Sequence, residues 1–431
     1  MMEVEVGDHN VLLVRCDGMY SAISNQCTHY GAPLSKGVLS GHRVRCPWHG
    51  SCFNVKTGDL EEYPGIDCLP CHKVKVENNK VYVSGQPKHI KWMGARDQAV
   101  LHTVMLLGGG AASLMCAETL RQENYGGRII MVSRDDLLPY DKTRLSKIMN
   151  AESESLLMRR MEFFHKYDIE VWLKKEALSI DTNKKTVTFD DGLIQCYDQI
   201  LIATGCSHTD IKYALNDYLL TLLCLFFKML EERGVTFYMN DAIAEVQGEN
   251  RRVKAVKLKS GITIEADLLI VGIGVNPNSE FLKGSPIRMD SKNYVIVDKY
   301  MRTNVTDVYC AGDLTFFPLK MAKGQNVSIG HWQTAQAHGN QRCVYLLILP
   351  TFRSILTYRA LSYTRRNAAP GTTQVFFASF SPTQFLKYWL CTFNCRDDEV
   401  VAAAGLNVEP TVSVVAERLA EGRVITKAEA E

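Results

Sequence analysis

Two short loops near the amino terminus each contain one cysteine and one histidine. The first reads Cys27-Thr-His29 and the second reads Cys46-Pro-Trp-His49, with sixteen residues between them. Zinc fingers usually pair Cys with Cys and His with His along the chain. Here each loop supplies one thiolate and one imidazole, so the two loops can clamp one dinuclear centre. The spacing therefore predicts a metal site at these four residues and favours a dinuclear centre over zinc.

A Rieske [2Fe–2S] centre needs this ligand set, because two thiolates bind one iron and two imidazoles bind the other. The surrounding sequence fits a small all-β domain, since residues 11–24 alternate between apolar and polar side chains around a central Asp17-Gly18, which is a hairpin signal. Residues 1–85 resemble Rieske domains. The resemblance implies that the cluster is bound by Cys27, His29, Cys46 and His49.

Three positions around these loops bear on the reduction potential. High-potential Rieske domains carry an extra Cys in each loop, which form a disulfide, and a Tyr that donates a hydrogen bond to a ligand sulfur. The corresponding residues here are Ala32, Trp48 and Phe53. Fewer hydrogen bonds to sulfur stabilise the reduced cluster less. The resemblance therefore implies a low potential, as in ferredoxin-type Rieske proteins that pass on electrons from a flavin.

A glycine-rich turn follows a polar linker at residues 86–102. An apolar strand at Thr103–Leu107 leads into Gly108-Gly109-Gly110, a helical pattern, a second strand at residues 129–132 and then Asp135. This order is typical of a dinucleotide-binding fold, in which the turn lets a pyrophosphate approach the helix N-terminus. It predicts phosphate contacts near Gly108, Gly110 and Ser113, and a ribose contact at Asp135 or its neighbour Asp136.

Three further segments indicate which nucleotide binds. They are residues 139–147 (PYDKTRLSK), 197–205 (YDQILIATG) and 303–313 (TNVTDVYCAGD). Together they resemble the two-dinucleotide flavoprotein reductases, which implies an α/β FAD-binding domain of Rossmann type. The resemblance implies that FAD lies near Lys147, Gly205, Asp313, His331 and Trp332.

The order of the parts is similar to that of the Rieske-bearing apoptosis-inducing factor-like flavoproteins of the third type. The resemblance implies an FAD- and [2Fe–2S]-dependent oxidoreductase in which NAD(P)H reduces FAD and electrons reach the cluster, and then an unknown electron acceptor. An alternative is a non-enzymatic protein that binds flavin and cluster and acts by interaction in apoptotic signalling. A Rieske oxygenase would need a mononuclear iron site, which the flavin motifs disfavour.

The second nucleotide-binding domain of such reductases is predicted to be truncated. The glycines between Gly205 and Gly272 are Gly234, Gly248 and Gly261, so no second GxG exists there. A domain of ~100 residues does not fit into this interval, which predicts one helix at residues 218–233 and strands at residues 235–239, 253–258 and 268–271. The NAD(P)H site is therefore expected to be incomplete, turnover is open, and no catalytic residue is assigned.

The predicted fold is multidomain, with an all-β domain before an α/β part and a partial α+β C-terminal domain. The expected boundaries are a Rieske domain at 1–85, FAD-binding pieces at 103–210 and 276–340, an NAD-domain remnant at 211–275, and a C-terminal domain at 341–431. The last is expected to be disrupted at about 343–395, because between Leu314 and Arg396 the chain has no acidic residue and nine basic ones.

Charge and hydropathy exclude several classes of partner. The formal net charge is +2, from 49 basic and 47 acidic residues, which gives no general basis for binding nucleic acid. No apolar run reaches about 18 residues, so no transmembrane segment is expected. The amino terminus has neither a secretory nor an Arg-rich transit pattern. An intracellular location is expected, mitochondrial or cytoplasmic, and the sequence leaves the oligomeric state open.

Overall fold

The structure is a computed structural model. It describes residues 1–431 except 89–92, 149, 209–229, 251, 320–323, 348–389, 397, 407–409 and 431. Residues 1–205 and 279–431 form one compact unit, and residues 206–278 form another.

The amino-terminal part is built from two antiparallel sheets. Its strands are β1 (Met2–Val6), β2 (His9–Cys16), β3 (Met19–Ser24), β4 (Val38–Ser40), β5 (Arg43–Arg45), β6 (Cys52–Asn54), β7 (Leu60–Glu62), β8 (Cys71–Glu77) and β9 (Lys80–Lys88). The sheet orders are β1-β2-β3-β8-β9 and β4-β5-β6-β7. The predicted hairpin is confirmed, because β2 and β3 pair with Cys16 opposite Met19 and both turn residues have positive φ.

The next part begins with a strand, a glycine turn and a helix, as predicted. Its elements are β10 (Thr103–Leu107), α1 (Ala111–Gln122), β11 (Arg128–Val132), α2 (Ser153–Leu156), α3 (Met161–Lys166), β12 (Ile169–Trp172), β13 (Ala177–Asp181), β14 (Thr186–Phe189), β15 (Ile194–Cys196) and β16 (Gln199–Ile202). β10 pairs in parallel with both β11 and β16. Four of its five residues are buried, as expected of a central strand covered on both faces.

The unit at residues 206–278 contains only antiparallel pairs among its described residues. Its strands are β17 (Cys206–His208), β18 (Ile243–Glu249), β19 (Arg252–Leu258), β20 (Thr263–Glu265) and β21 (Val275–Pro277). β17 pairs with β21, and β18, β19 and β20 form a meander. The expected strand at 253–258 is confirmed, whereas most of the expected helix at 218–233 falls outside the described residues.

Two other strands predicted in this unit, at residues 235–239 and 268–271, are wrong. Both segments lack strand structure, and Leu268 and Ile270 are 75% and 84% exposed. Apolar runs of this kind become parallel strands when neighbouring strands and helices cover them. Within the described residues of the unit no parallel partner strand is present, so the two runs do not form strands.

The rest of the chain returns to the first unit. Its elements are β22 (Val295–Ile296), β23 (Val308–Cys310), β24 (Thr315–Pro318), β25 (Asn326–Val327), α4 (Trp332–Leu347), β26 (Leu390–Arg396), β27 (Glu399–Leu406), α5 (Thr411–Ala420) and α6 (Lys427–Ala430). β23 joins β16 in parallel and completes the sheet order β12-β11-β10-β16-β23. Most of the anomalous segment at 343–395 lies outside the described residues.

α1 and α4 pack closely against each other. α1 is buried from Ala111 to Arg121, because the parallel sheet and α4 both cover it. A Cβ atom added to Gly339 of α4 would lie 2.1 Å from the Ala112 carbonyl oxygen, so this crossing requires glycine. The contact holds the middle of α4 beside the start of α1.

Candidate cluster and flavin sites

The two Cys–His loops have the same local geometry. In each loop a glycine with positive φ stands four residues after the cysteine: Gly31 (φ 76°) after Cys27, and Gly50 (φ 79°) after Cys46. The Gly31 amide donates to the Cys27 carbonyl at 2.8 Å. Positive φ is the conformation that glycine adopts at little cost, so both loops turn back sharply and present their cysteine and histidine together.

The structure brings the four predicted cluster ligands together. The Cys27 and Cys46 side chains are hydrogen-bonded to each other and are 3% and 2% exposed. The rings of His29 and His49 lie with centroids 4.9 Å apart, edge to face. Both ring nitrogens of His29 are buried and lack a hydrogen-bond partner among the described residues. Buried polar atoms are normally satisfied, so this donor set fits a bound metal centre.

Burial and proximity set the protonation of these ligands. The hydrogen bond from Cys46 lowers the pKa of Cys27, and the same bond raises the pKa of Cys46. Burial, followed by the charge of His49, lowers the pKa of His29 to about 4. Burial also lowers the pKa of His49. The imidazoles are therefore neutral near pH 7, which is the state that binds metal.

The glycine turn after β10 forms an open cradle at the N-terminus of α1. A Cβ atom on Gly108 would lie 2.1 Å from the Ala203 carbonyl oxygen, and Gly108 has a φ of 121°. At Gly110, the N-cap of α1, no atom lies within 4 Å of such a Cβ position. The hydroxyl of Ser113 is buried without a hydrogen-bond partner in the described chain. Open space, an uncapped helix N-terminus and this hydroxyl fit a phosphate group.

Asp313 lies beside this cradle. A Cβ atom on the preceding Gly312 would lie 3.7 Å from the Ala112 Cβ atom in the first turn of α1. The carboxylate of Asp313 accepts a hydrogen bond from the His331 backbone amide, and burial raises its pKa. His331 leads directly into α4, and Trp332 packs against the core under α1. The structure thus collects Asp313, His331 and Trp332 at one edge of the parallel sheet.

Three other residues predicted to contact FAD, namely Gly205, Asp135 and Lys147, lie outside the group formed by Asp313, His331 and Trp332. Gly205 follows β16 with a φ of 67° and no atom within 4 Å of a Cβ position. Asp135 is exposed, and its amide is bonded to the Ser133 hydroxyl at 3.2 Å. The Lys147 ammonium donates to the Thr143 carbonyl at 2.8 Å. Its charge helps lower the pKa values of His29 and His49, so Lys147 lies on the side of the flavin-binding part that faces the cluster loops.

Sequence reasoning missed the side chains that join the cluster loops to the flavin-binding part. The Tyr30 ring stacks on His29, with centroids 3.7 Å apart and planes 22° apart. The Tyr30 hydroxyl donates to the Asp141 carboxylate at 3.2 Å and lies 3.0 Å from the Thr143 hydroxyl. From α4, the Gln333 amide donates to the His49 carbonyl at 2.8 Å. The one available signal was the position of Tyr30, directly after a ligand.

A second missed contact joins α5 to the cluster loop. Arg45, beside Cys46, is 2% exposed and is paired with Glu417 of α5 and with Glu62. Its guanidinium also donates to the Gly50 carbonyl at 2.9 Å. The Ser413 hydroxyl donates to the Cys46 carbonyl at 3.3 Å. No local sequence pattern marks Glu417 or Ser413, because both contacts are between residues far apart in the chain.

Comparison with known families agrees with this division. Residues 1–73 match the Rieske [2Fe-2S] domain family, and residues 102–217 and 225–339 match the pyridine nucleotide-disulphide oxidoreductase family. The crystal structure of a ferredoxin reductase from Rhodopseudomonas palustris has the same reductase fold, with a TM-score of 0.62 at 18% identity, over 75% of this chain and 96% of that one. Fold and sites therefore define an electron-transfer flavoprotein oxidoreductase with a Rieske domain.

Relatives with similar sequences identify the family to which the chain belongs. Apoptosis-inducing factor 3 of Homo sapiens is 34% identical over 511 aligned positions, which cover 100% of this chain and 83% of the relative. Rubredoxin-NAD(+) reductase of Pseudomonas putida is 26% identical over 277 residues, 49% of this chain and 71% of that protein. The chain belongs to the Rieske-bearing apoptosis-inducing factor-like flavoproteins. The cofactors of such a protein are a [2Fe–2S] cluster and FAD, with NAD(P)H as the reductant in the family.

One further finding concerns membranes. Among the described residues, no helix is both long enough and apolar enough to cross a bilayer.

Proposed function

We propose that this chain passes electrons from FAD, held at the α1 cradle, to a [2Fe–2S] cluster held by the two Cys–His loops. The observation that carries the proposal is the contact between the two sites. Tyr30 follows the ligand His29 and bonds to Asp141 and Thr143 of the flavin-binding part. Both sites also belong to one compact unit.

Each part of the site has a defined task in this proposal. FAD, when bound, can accept a hydride and release single electrons, which a [2Fe–2S] centre takes one at a time. The α1 N-terminus and the Ser113 hydroxyl bind phosphate, and Asp313 accepts from the ribityl chain. Lys147 supplies positive charge on the side that faces His29 and His49. Cys27 and Cys46, whose side chains are buried, would hold one iron of the cluster, and His29 and His49 would hold the other.

We further propose that the NAD(P)H site of the family is incomplete here. Three observations support this. No GxG pattern lies between Gly205 and Gly272, and three of the four residues of the apolar run at 268–271 are exposed, with no strand formed there. The alignment with the human relative is 511 positions long against a chain of 431 residues, so it opens large gaps in this chain. Without a second phosphate cradle, nicotinamide is poorly positioned for hydride transfer.

The incomplete site favours a second candidate function, in which the chain keeps its cofactors and acts by interaction with other proteins. The name of the human relative suggests apoptotic signalling as the setting. The two functions differ in whether electrons move from flavin to cluster.

Light-driven reduction of the flavin separates them. The protein is purified anaerobically, its iron, sulfide and FAD are quantified, and blue light with EDTA reduces the bound flavin without NAD(P)H. Electron transfer predicts that flavin bleaching is accompanied by the EPR signal of a reduced Rieske cluster. A Cys46→Ser variant, which cannot hold the cluster, should bleach without that signal. A wild-type cluster that stays oxidised beside reduced flavin would contradict the proposed transfer and favour the interaction role.

A further inference from the structure

Each cluster loop contacts the flavin-binding part either at a predicted histidine ligand or at the residue directly after it. Tyr30 directly follows His29, and Gln333 donates to the backbone carbonyl of His49 itself at 2.8 Å. The Cys–Cys side of the cluster site, by contrast, is buried within the amino-terminal part. The edge formed by the two imidazoles is therefore the edge that faces the flavin-binding part.

Tyr30 makes two contacts of different kinds. Its ring stacks on His29, also lies 5.4 Å from the His49 ring at nearly a right angle, and so restrains the orientation of both imidazoles. Its hydroxyl reaches Asp141 and Thr143, more than a hundred residues away in sequence. A tyrosine that served only the local loop would need the ring contact alone. The hydroxyl contacts fix the ring, and with it His29, to the 139–147 segment.

That segment is itself ordered by the same residues. The Asp141 carboxylate accepts from both the amide and the hydroxyl of Thr143, at 2.9 Å and 2.6 Å. The Thr143 carbonyl then accepts from the Lys147 ammonium. A continuous chain of contacts thus runs from His29 through Tyr30 to Lys147.

Gln333 of α4 makes the second contact between the flavin-binding part and a cluster loop. Its amide group also donates to the Tyr63 carbonyl at 3.2 Å, and one turn further along α4 the Gln336 amide donates to the Pro64 carbonyl at 3.2 Å. Gln333 directly follows His331 and Trp332 at the start of α4. The helix that carries the candidate flavin contacts therefore also holds the His49 loop.

We propose that Tyr30 and Gln333 are positioning residues that hold the two histidine ligands against the flavin domain, so that the cluster is reduced by the FAD of the same chain. This inference rests on the proposed function. The step would move one electron from reduced FAD to a ferric iron of the cluster, with no change in the four protein ligands. The second electron would follow after the cluster had passed the first to an acceptor, and the proton of the reduced flavin would then leave to solvent.

The test is laser-flash photoreduction of the bound flavin in the full, cofactor-loaded chain, with EDTA as the electron donor. Tyr30→Leu, which removes the stack and the hydroxyl, should slow cluster reduction severalfold, because the rate of electron transfer falls steeply as the distance between donor and acceptor grows. Tyr30→Phe keeps the ring stack on His29 and should slow cluster reduction less than Tyr30→Leu does. Thr143→Val should behave like Tyr30→Phe, and Gln333→Leu should slow transfer independently.

Readouts other than transfer rate separate positioning from a structural role. Iron content and the EPR signal after direct dithionite reduction should match the wild type in every variant. Hydrogen–deuterium exchange of peptides covering residues 139–147 should rise in the Tyr30 variants, because the loop loses its anchor. Tyr20→Leu is the matched control, since Tyr20 is a half-buried tyrosine of the same domain that packs beside β2 and contacts Arg15. It should leave the transfer rate unchanged.

The outcomes distinguish the two proposals. If the wild-type chain shows no flavin-to-cluster transfer, the proposed function fails. If the wild type transfers and Tyr30→Leu and Gln333→Leu transfer equally fast with full cluster content, the positioning inference is overturned while the function stands. If Tyr30→Leu loses its cluster, the decision passes to Thr143→Val and Gln333→Leu, which leave the ligand loops unchanged in sequence.

Discussion

The contact between α5 and the cluster loop predicts that Glu417 stabilises the amino-terminal domain. Arg45 is buried between Glu417 and Glu62, and it also binds the Gly50 carbonyl within the second ligand loop. Glu417 is 4% exposed. Replacing Glu417 with glutamine keeps the size of the side chain but removes the charge that faces a buried guanidinium.

The size of the expected destabilisation depends on the partners that Arg45 retains in the Glu417→Gln variant. Removing the partner of a buried charge costs about 3–5 kcal/mol when the charge is left alone. Here Glu62 still pairs with Arg45 at 2.7 Å, so the loss is closer to one charge-assisted hydrogen bond, about 2–3 kcal/mol. With a urea dependence of about 1–3 kcal/mol per molar, this loss should lower the midpoint of cluster loss by roughly 0.7–3 M.

The assay is anaerobic urea titration, followed by the visible circular dichroism of the cluster. Glu421→Gln is the matched control, because Glu421 lies just after α5 and accepts from the Ser40 hydroxyl of the same domain in an exposed contact. Exposed contacts of this kind contribute about 0–1 kcal/mol, so the control should shift little. Equal midpoints for Glu417→Gln and Glu421→Gln would refute the role given to the buried pair.

Three further predictions follow from single sites. The midpoint potential of the cluster, measured by EPR titration, should lie toward the low end of the Rieske range of about −150 to +300 mV, because Phe53 offers no hydrogen bond to a ligand sulfur, and a value above roughly +200 mV would contradict this. Asp313→Ala should purify with reduced FAD occupancy, and full occupancy would show that the strand-end contact is misplaced. His338 lies on α4 and is 1% exposed, and this burial lowers its pKa to about 3. Between pH ~6.5 and 3 the unfolded chain therefore binds a proton that the folded chain does not, and the free energy of unfolding decreases as the pH falls through this range. At pH 5 the loss is about 2 kcal/mol, and the urea midpoint of His338→Gln should fall less than that of the wild type between pH 7.5 and 5; equal falls would contradict it.

The parts of the fold that could be predicted were those that depend on local sequence patterns. The hairpin at Asp17-Gly18 and the β10–turn–α1 unit each depend on a few neighbouring residues whose backbone conformations are restricted. The four predicted ligand positions were grouped by the spacing of the two loops, and the structure brings the two cysteines together and the two histidines together.

The remaining features depend on contacts between distant residues, which no local pattern reveals. Glu417 reaches Arg45 across most of the chain, and Tyr30 reaches Asp141 across the linker. The strand prediction at 268–271 failed for the related reason that an apolar run becomes a strand only where a partner strand exists. Hydrophobicity was visible in the sequence, whereas the lack of a parallel partner strand among the described residues of the unit became apparent only from the structure.

The central claim is that the chain keeps the FAD and [2Fe–2S] sites of its family but has a deficient site for the nicotinamide donor. Stopped-flow mixing of the FAD- and cluster-loaded protein with excess NADH, and separately with NADPH, tests it most directly through the flavin absorbance. We predict very slow bleaching that does not saturate with nucleotide concentration, although light with EDTA reduces the same flavin. Rapid, saturable bleaching by either nucleotide would show that a functional nicotinamide site exists and would contradict the account.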